Sequence, residues 1–425
     1  MPKKMILTST FMWLLAALFY SYEFFQRVAP AIMATPIMAT FHLSQAKFAF
    51  INSFYLYAYA LAQLPAGVLI DRYGPKACLS ISALGVALGT LLFSETESLI
   101  FLGLARILIG IGSAFAFIGC LKIASQWFEG KTFALIVGLT NLLGVAGALL
   151  GEAPLAKLVD HLGWISSLKL SAWIGFFIAL ALFIFLKNSP KNFKNRNKIL
   201  FFSAIRTLLK TPQNWLIALY AGIMVSPVIA FTELWAMPFL EKVDQFSSVD
   251  AASINQFIFI GIGVGGPIHG LISGKIGRRK PMMAIGQLMA IVSLIFIIMT
   301  HPSARILMGL MFFFGFSVSS MLLAFSLSTE NQPKAFGGTA IAFTNLFIML
   351  IGAAFQNMIG DGLTYFFPHT PDMHGLGISN DVFKLILFIL PAALFLNFIL
   401  LFFIKETYAQ PVLLHKKSLK ISKKT

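Results

Sequence analysis

The stretch Gly67-Val68-Leu69-Ile70-Asp71-Arg72-Tyr73-Gly74-Pro75-Lys76 closes a long apolar run that begins near Ala46. A related stretch, Gly270-Leu271-Ile272-Ser273-Gly274-Lys275-Ile276-Gly277-Arg278-Arg279-Lys280, closes another. Gly67 and Gly270 stand 203 positions apart, as do Gly74 and Gly277. A basic turn marked by glycines, repeated at one interval inside a hydrophobic chain, points to a duplicated protein that crosses a membrane.

Composition agrees with that reading. Of 425 residues, 58% are hydrophobic and 11% charged, whereas about a quarter of residues are charged in soluble domains. Apolar stretches of roughly 20 residues recur along the chain, each long enough to cross a hydrocarbon core as a helix. In lipid every backbone polar group needs an internal partner, so these stretches are helices. Twelve spans are expected, near 8–34, 46–70, 76–94, 98–121, 132–153, 165–187, 213–240, 252–273, 281–300, 304–328, 336–359 and 381–405.

The formal charge of +16 raises the question of a nucleic-acid partner, and the placement of the charges answers it. With a cytoplasmic N-terminus, 24 of the 32 Lys and Arg residues fall on the cytoplasmic side, Arg27 and Arg106 lie within spans, and 6 remain for the other side. This asymmetry is the positive-inside rule and puts both termini in the cytoplasm. The tail, with His415, Lys416, Lys417, Lys420, Lys423 and Lys424, reads as an anchor at anionic headgroups. No nucleic-acid partner is expected. Met1 to Lys4 followed by an apolar run imitates a signal peptide, but Glu23 and Arg27 interrupt the run, so the first span is expected to be retained. Cys78 and Cys120 fall near cytoplasmic span ends, where thiols stay reduced; neither a disulfide nor a metal site is expected.

A basic interruption from Lys187 to Thr211 divides six spans from six. Leu139-Thr140-Asn141-Leu142 in the fifth span matches Phe343-Thr344-Asn345-Leu346 in the eleventh at an offset of 204, and Pro30 and Pro238 are offset by 208. Offsets so similar in several places imply parallel repeats, the arrangement in which a binding site forms between halves. The expected organisation is a six-helix bundle over 1–187, a basic cytoplasmic linker over 188–212, a second bundle over 213–405 and a basic tail over 406–425. The segment from Gly360 to Asn380, with His369 and His374, reads as a long solvated outer loop whose spacing matches no tight metal pattern.

On these residues the chain resembles the major facilitator superfamily of secondary transporters over essentially its full length. The resemblance rests on Gly67, Asp71, Arg72 and Gly74 between the second and third spans, and on Arg106, Gly110 and Gly112 in the fourth. Pro75 departs from the family, which often has a basic residue there, and Gly274 replaces the acid in the second copy. The fifth span lacks the Gly-Pro pair of many drug:proton antiporters. Within the superfamily the chain looks most like bacterial nutrient or organic-anion permeases, and weakly like lysosomal dipeptide carriers. The resemblance implies an all-α polytopic protein, twelve transmembrane helices in two pseudo-symmetric halves. It also implies that Gly67, Asp71, Arg72, Gly74, Gly270, Gly277 and Arg278 form a latch that holds one state of a carrier. The alternative for the basic members is that they only obey charge topology.

Glu23 and Arg27 are the most informative residues within spans, because ionisable groups there are costly and face a cavity or a partner. Their i, i+4 spacing puts them on one helix face with Tyr20. Arg27 offers planar, bidentate donors suited to a carboxylate, and the resemblance to organic-anion carriers makes it a substrate anchor. Glu23 is placed to carry a coupled proton; the alternative is a Glu23–Arg27 pair that satisfies itself. The family motif gives Arg106 a part in proton transfer or in positioning an acid, for which Glu23 is the expected partner, or else Arg106 packs helices through backbone carbonyls. Asn52, Tyr55, Tyr59 and Gln63 share one face of the second span and are candidates to bond a polar substrate, with helix packing as the alternative. Glu233, Trp235, Asn345 and Gln356 are their counterparts in the second half, although Trp235 also suits an interface aromatic.

No phosphate loop follows a strand and no nucleophile stands at a recognisable spacing from a base, so neither ATP-driven transport nor an enzyme is expected. The expected function is secondary active transport of a small polar, carboxylate-bearing metabolite (an amino acid, short peptide or sugar acid) by alternating access with proton symport. A drug or metabolite efflux antiporter and a non-transporting membrane sensor are the alternatives. No cofactor is expected beyond the proton as coupling ion. The expected setting is a monomer in a bacterial inner membrane.

Overall fold

A computed structural model describes residues 3–128, 130–188, 206–332, 336–366 and 380–408, without the side chains of residues 3–6, 64, 71, 130–135 and 137. All regular structure among these residues is helical. The first half comprises α1 (Lys3–Ile32), α2 (Ala34–Phe41), α3 (Gln45–Tyr73), α4 (Pro75–Glu95), α5 (Leu99–Trp127), α6 (Gly130–Leu150) and α7 (Ala153–Phe185). The second comprises α8 (Pro212–Pro227), a π-helical segment Val228–Trp235, α9 (Ala236–Lys242), α10 (Ser248–Ile276), α11 (Lys280–Met299), α12 (Ala304–Val318), a 3-10 turn Ser319–Met321, α13 (Leu322–Glu330), α14 (Gly337–Phe366), α15 (Asn380–Leu387) and α16 (Ile389–Phe403).

Among the described residues nine helical runs are long and apolar enough to cross a membrane, one of them, Gly138–Phe185, passing through both α6 and α7. Counting that run as two and adding α1 and α3, which carry most of the polar candidates, gives the expected twelve spans. Large apolar side chains such as Phe177 and Ile81 stand about 70% exposed on the helix flanks, where lipid rather than water is their solvent. α7 begins at Ala153, a dozen positions before the expected 165, with a bend at Gly163 (φ 77°). The first part of α7 carries Lys157, Asp160 and His161, a polar face that masked its helical character in an apolar count.

Two compact units make up the chain. The first gathers Met1–Asn195, Thr232–Gln256 and Gln356–Asn380; the second gathers Arg196–Phe231, Phe257–Phe355 and Asp381–Thr425. The six-plus-six division read from the repeats concerns chain duplication, whereas these units follow packing: Thr232–Gln256 and the end of α14 from Gln356 to Phe366 fall with the N-terminal helices. In the first unit α4 lies against α5 and α7, α3 against α5, and α1 against α5, α6 and α7. Two glycines permit the closest approaches around α1 and α3. A side chain at Gly110 would strike the Tyr55 carbonyl, and one at Gly147 the Ser21 carbonyl, so backbones come together there without intervening side chains. In the second unit α11 packs against α12 and α16, and α8 against α16 and α13.

The expected linker over 188–212 and outer loop with His369 and His374 lie largely outside the described residues, as does the tail beyond Tyr408. Cys78 and Cys120 are buried thiols.

Candidate functional site

The charged candidates of α1 do not pair with each other. Arg27 Nε donates to Glu233 Oε2 at 2.8 Å, 206 positions away, and both side chains are buried. The guanidinium also lies over the Phe24 ring at 5.5 Å. Glu233 belongs to the π-helical segment, whose extra residue per turn breaks the α register. Such segments recur at functional sites.

Glu23, one turn before Arg27, accepts a 2.6 Å hydrogen bond on Oε1 from the Tyr55 hydroxyl of α3, while its Oε2 is buried without a partner. Arg106 of α5 lies over the Tyr55 ring at 4.7 Å and donates to the Gln26 carbonyl at 3.5 Å, a long bond, with Nε unpartnered. The expected direct Arg106–Glu23 pairing is therefore absent among the described residues. Tyr55 stands between the two, offering its ring face to the cation and its hydroxyl to the carboxylate. Arg106 also has the carbonyl contact of its alternative, helix-packing reading.

The polar stripe of α3 is buried. Tyr59 stacks on Tyr55 at 5.9 Å, and Asn52 Nδ2 donates to Gln356 Oε1 at 3.3 Å. The Trp235 indole donates to the Gln356 carbonyl at 3.1 Å and is fully buried, which removes the interface-aromatic reading of Trp235. Tyr20 packs edge-on to Phe24 and beside Phe117, with ring centroids 5.2 Å away in each case. Tyr20, Glu23, Arg27, Asn52, Tyr55, Tyr59, Arg106, Glu233, Trp235 and Gln356 thus fall in one unit, whereas Asn345, half-buried on α14, falls in the other. Gln26 was missed by sequence reasoning. Its side-chain amide donates to the Tyr22 hydroxyl and to Ser171 Oγ, both at 2.7 Å, and its main-chain carbonyl receives Arg106. Its place one residue before Arg27 was the available signal.

The two copies of the glycine-marked turn are built differently. In the first, Gly74 adopts φ 85° and Lys76 N donates to Asn188 Oδ1 at 3.1 Å, which caps α4. Arg72 is exposed over the Tyr73 ring, and the Asp71 side chain lies outside what is described. Gly67 and Gly270 have open space where a side chain would project, so no neighbouring atom requires glycine at either position. In the second copy Gly277 adopts φ 69°. Arg278, the expected latch residue, is exposed over Tyr408, and Arg279 makes the bonds instead. Arg279 Nη2 pairs with Glu330 at 2.7 Å, and Arg279 N and Lys280 N donate to Glu406 at 2.9–3.1 Å. Thr407 also bonds Glu330. The acid missing at Gly274 is thus supplied by Glu330 and Glu406.

Known proteins share this architecture. A bacterial homologue of the human lysosomal transporter Spinster, in an inward-facing and unoccupied conformation, superposes with TM-score 0.77 over 95% of this chain and 97% of its own, at 18% identity. The nucleoside transporter NupG gives TM-score 0.72 over 92% and 99%, at 12% identity. In sequence, the "Probable galactarate/D-glucarate transporter GudP" of Escherichia coli is 22% identical over 82% of this chain and 86% of its own. Transporter YybO of Bacillus subtilis is 31% identical, over only 33% of each chain. The "Probable sulfoacetate transporter SauU" of Cupriavidus necator is 24% identical over 41% of this chain and 40% of its own. The model of the Major Facilitator Superfamily matches residues 12–356, well over half of the sequence, and the chain belongs to that superfamily.

Proposed function

We propose that this protein is a secondary active transporter that moves a small carboxylate-bearing metabolite by alternating access, in symport with protons. The observation that carries the proposal is the buried Arg27–Glu233 pair beside Glu23, Tyr55 and Arg106. A guanidinium already holding a carboxylate at 2.8 Å is shaped to hold another, so a substrate carboxylate would take the place of Glu233 on Arg27. Exchange of one anion for another leaves Arg27 compensated throughout, which avoids the cost of a bare buried charge. Asn52, Tyr59, Trp235 and Gln356 would bond the hydroxyls or second carboxylate of the metabolite. Glu23, with one oxygen unpartnered, would carry the proton, and Arg106 would sense its charge through Tyr55. GudP and SauU are named for galactarate, D-glucarate and sulfoacetate, all acids, which favours a sugar acid over an amino acid or peptide. The expected setting is a monomer in a bacterial inner membrane, both termini cytoplasmic.

Uptake of radiolabelled D-glucarate into proteoliposomes tests this reading. We expect accumulation driven by an inward pH gradient, loss of that drive in Glu23→Gln, and loss of substrate affinity in Arg27→Ala. Accumulation indifferent to the pH gradient refutes the symport, and unchanged affinity in Arg27→Ala refutes the anchor.

A further inference from the structure

Five carboxyl or guanidinium side chains are buried in the first unit among the described residues: Glu23, Arg27, Arg106, Glu152 and Glu233. Three carboxyls thus face two guanidiniums. Arg27 is engaged by Glu233, and Arg106 lies over the Tyr55 ring whose hydroxyl holds Glu23. Glu152 has no cationic side chain within ion-pair distance among the described residues. A carboxylate buried away from water without a counter-charge is costly, so a unit of positive charge belongs beside it.

The surroundings of Glu152 are rich in oxygen. It sits in the turn between α6 and α7, fully buried. Its Oε1 accepts from Asn255 Nδ2 at 3.0 Å, and the same amide donates to the Thr232 carbonyl at 3.0 Å. Glu152 Oε2, Asn255 Oδ1 and Thr232 Oγ1 are all buried without a hydrogen-bond partner, on residues with no exposed surface. Thr232 lies in the π-helical segment, beside the Glu233 that Arg27 neutralises. A π-helical segment breaks the α register, and such segments recur at functional sites. A proton on Glu152 would add one donor for one acceptor, leaving the other oxygens unmet. A hard cation takes several oxygens at once and supplies the missing charge. One carboxylate among neutral oxygens suits a monovalent ion, and no cluster of three or more His, Cys, Asp or Glu residues that could hold a metal ion occurs among the described residues.

We propose that Glu152, Asn255 and Thr232 form a sodium-binding site, with Glu152 Oε2, Asn255 Oδ1 and Thr232 Oγ1 as its ligands. The site is separate from Glu23 and does not depend on the proton-coupling reading. Binding at a site in the first unit would hold the turn before α7 to the π-helical segment and α10, tying sodium to the stability of that packing.

Thermal melting of the purified full chain in detergent tests the proposal, with sodium chloride replaced by choline chloride at constant ionic strength and pH. A ligand that binds only the folded state raises the melting temperature by mass action. We expect a saturable rise with sodium in the parent chain, its loss in Glu152→Gln and Asn255→Ala, and its retention in Glu23→Gln. Thr232→Val, which keeps the side-chain shape, should move the sodium midpoint up about tenfold, equivalent to roughly 1.4 kcal/mol. Saturable binding of sodium-22 to the parent chain, weakened to the same extent by Thr232→Val, supports the site even where Glu152→Gln does not fold. Identical melting in sodium and choline overturns the proposal. So does stabilisation that follows pH alone, which would assign Glu152 a proton, and so does a Thr232→Val chain with the parent's sodium midpoint.

Discussion

Arg27 and Glu233 hold each other at 2.8 Å with both side chains buried, and this pairing makes a sharper prediction than either residue alone. Removing one member of a buried ion pair strands the other, at a cost of about 3–5 kcal/mol. Arg27→Ala and Glu233→Ala are each expected to lower stability by that order, and the double variant to lose less than the sum. A thermodynamic cycle from denaturation of the three variants checks this; strict additivity would show that the two side chains do not interact. Glu233→Gln separates the pair from the transport reading. It keeps the shape and leaves Arg27 without an anionic competitor, so carboxylate substrate should bind several-fold tighter in equilibrium binding to Glu233→Gln. Unchanged or weaker binding would remove Glu233 as the group the substrate displaces. The members of this site were legible in the sequence because ionisable residues in apolar spans are conspicuous. Their pairing was not. The i, i+4 spacing of Glu23 and Arg27 offers a local partner, and nothing in a linear pattern reveals that a residue 206 positions away, turned by a π-helical register, competes for it. Glu152 was passed over for a related reason: it stands at the expected edge of a span, where an acid normally reads as solvated.

At the scale of elements, span count and order follow from hydropathy, whereas breaks within spans do not. The π-helical segment and the 3-10 turn at Ser319–Met321 leave no periodic trace in the sequence, and the bend at Gly163 turns on one positive-φ glycine with open space around it. Close packing yields a test at α5. A methyl group at Gly110 would meet the Tyr55 carbonyl and the Ala58 side chain, forcing α5 from α3 where Arg106 lies over Tyr55. Gly110→Ala should destabilise by about 1–3 kcal/mol, as overpacking does, and impair uptake. Gly309→Ala is the control: it has open space in α12 and should be neutral or slightly stabilising in melting, because alanine is the better helix former. Equal effects of the two would sink the packing argument. The second glycine-marked turn gives another. Glu406 accepts from Arg279 N and Lys280 N at the start of α11, where a helix N-terminus favours an anion. Glu406→Ala should cost about 1 kcal/mol in stability, a typical cap loss, and Glu406→Asp less. The duplication was visible from two matching glycine turns, but that the second recovers its acid from Glu330 and Glu406 was hidden, since both lie far along the chain.

For the whole molecule the decisive quantity is the distribution of charge rather than its sum. The exposed apolar flanks of the helices fix a membrane as solvent, but they are indifferent to which way the protein is inserted. Orientation comes from short loops, where Lys and Arg resist translocation. Arg72 and Lys76 in the first glycine-marked turn, and Lys275, Arg278, Arg279 and Lys280 in the second, fall after an even number of spans and so on one common side. The same parity places the basic tail with them, while the turn Thr96–Ser98 between α4 and α5 carries no Lys or Arg and falls opposite. The prediction is made in a bacterial host with reporters that report one compartment each. Green fluorescent protein fused after Thr425 should fluoresce, because it matures in the cytoplasm. Alkaline phosphatase inserted after Thr96 should be active, because it folds only outside. The reverse pattern would place the tail outside and overturn the proposed orientation.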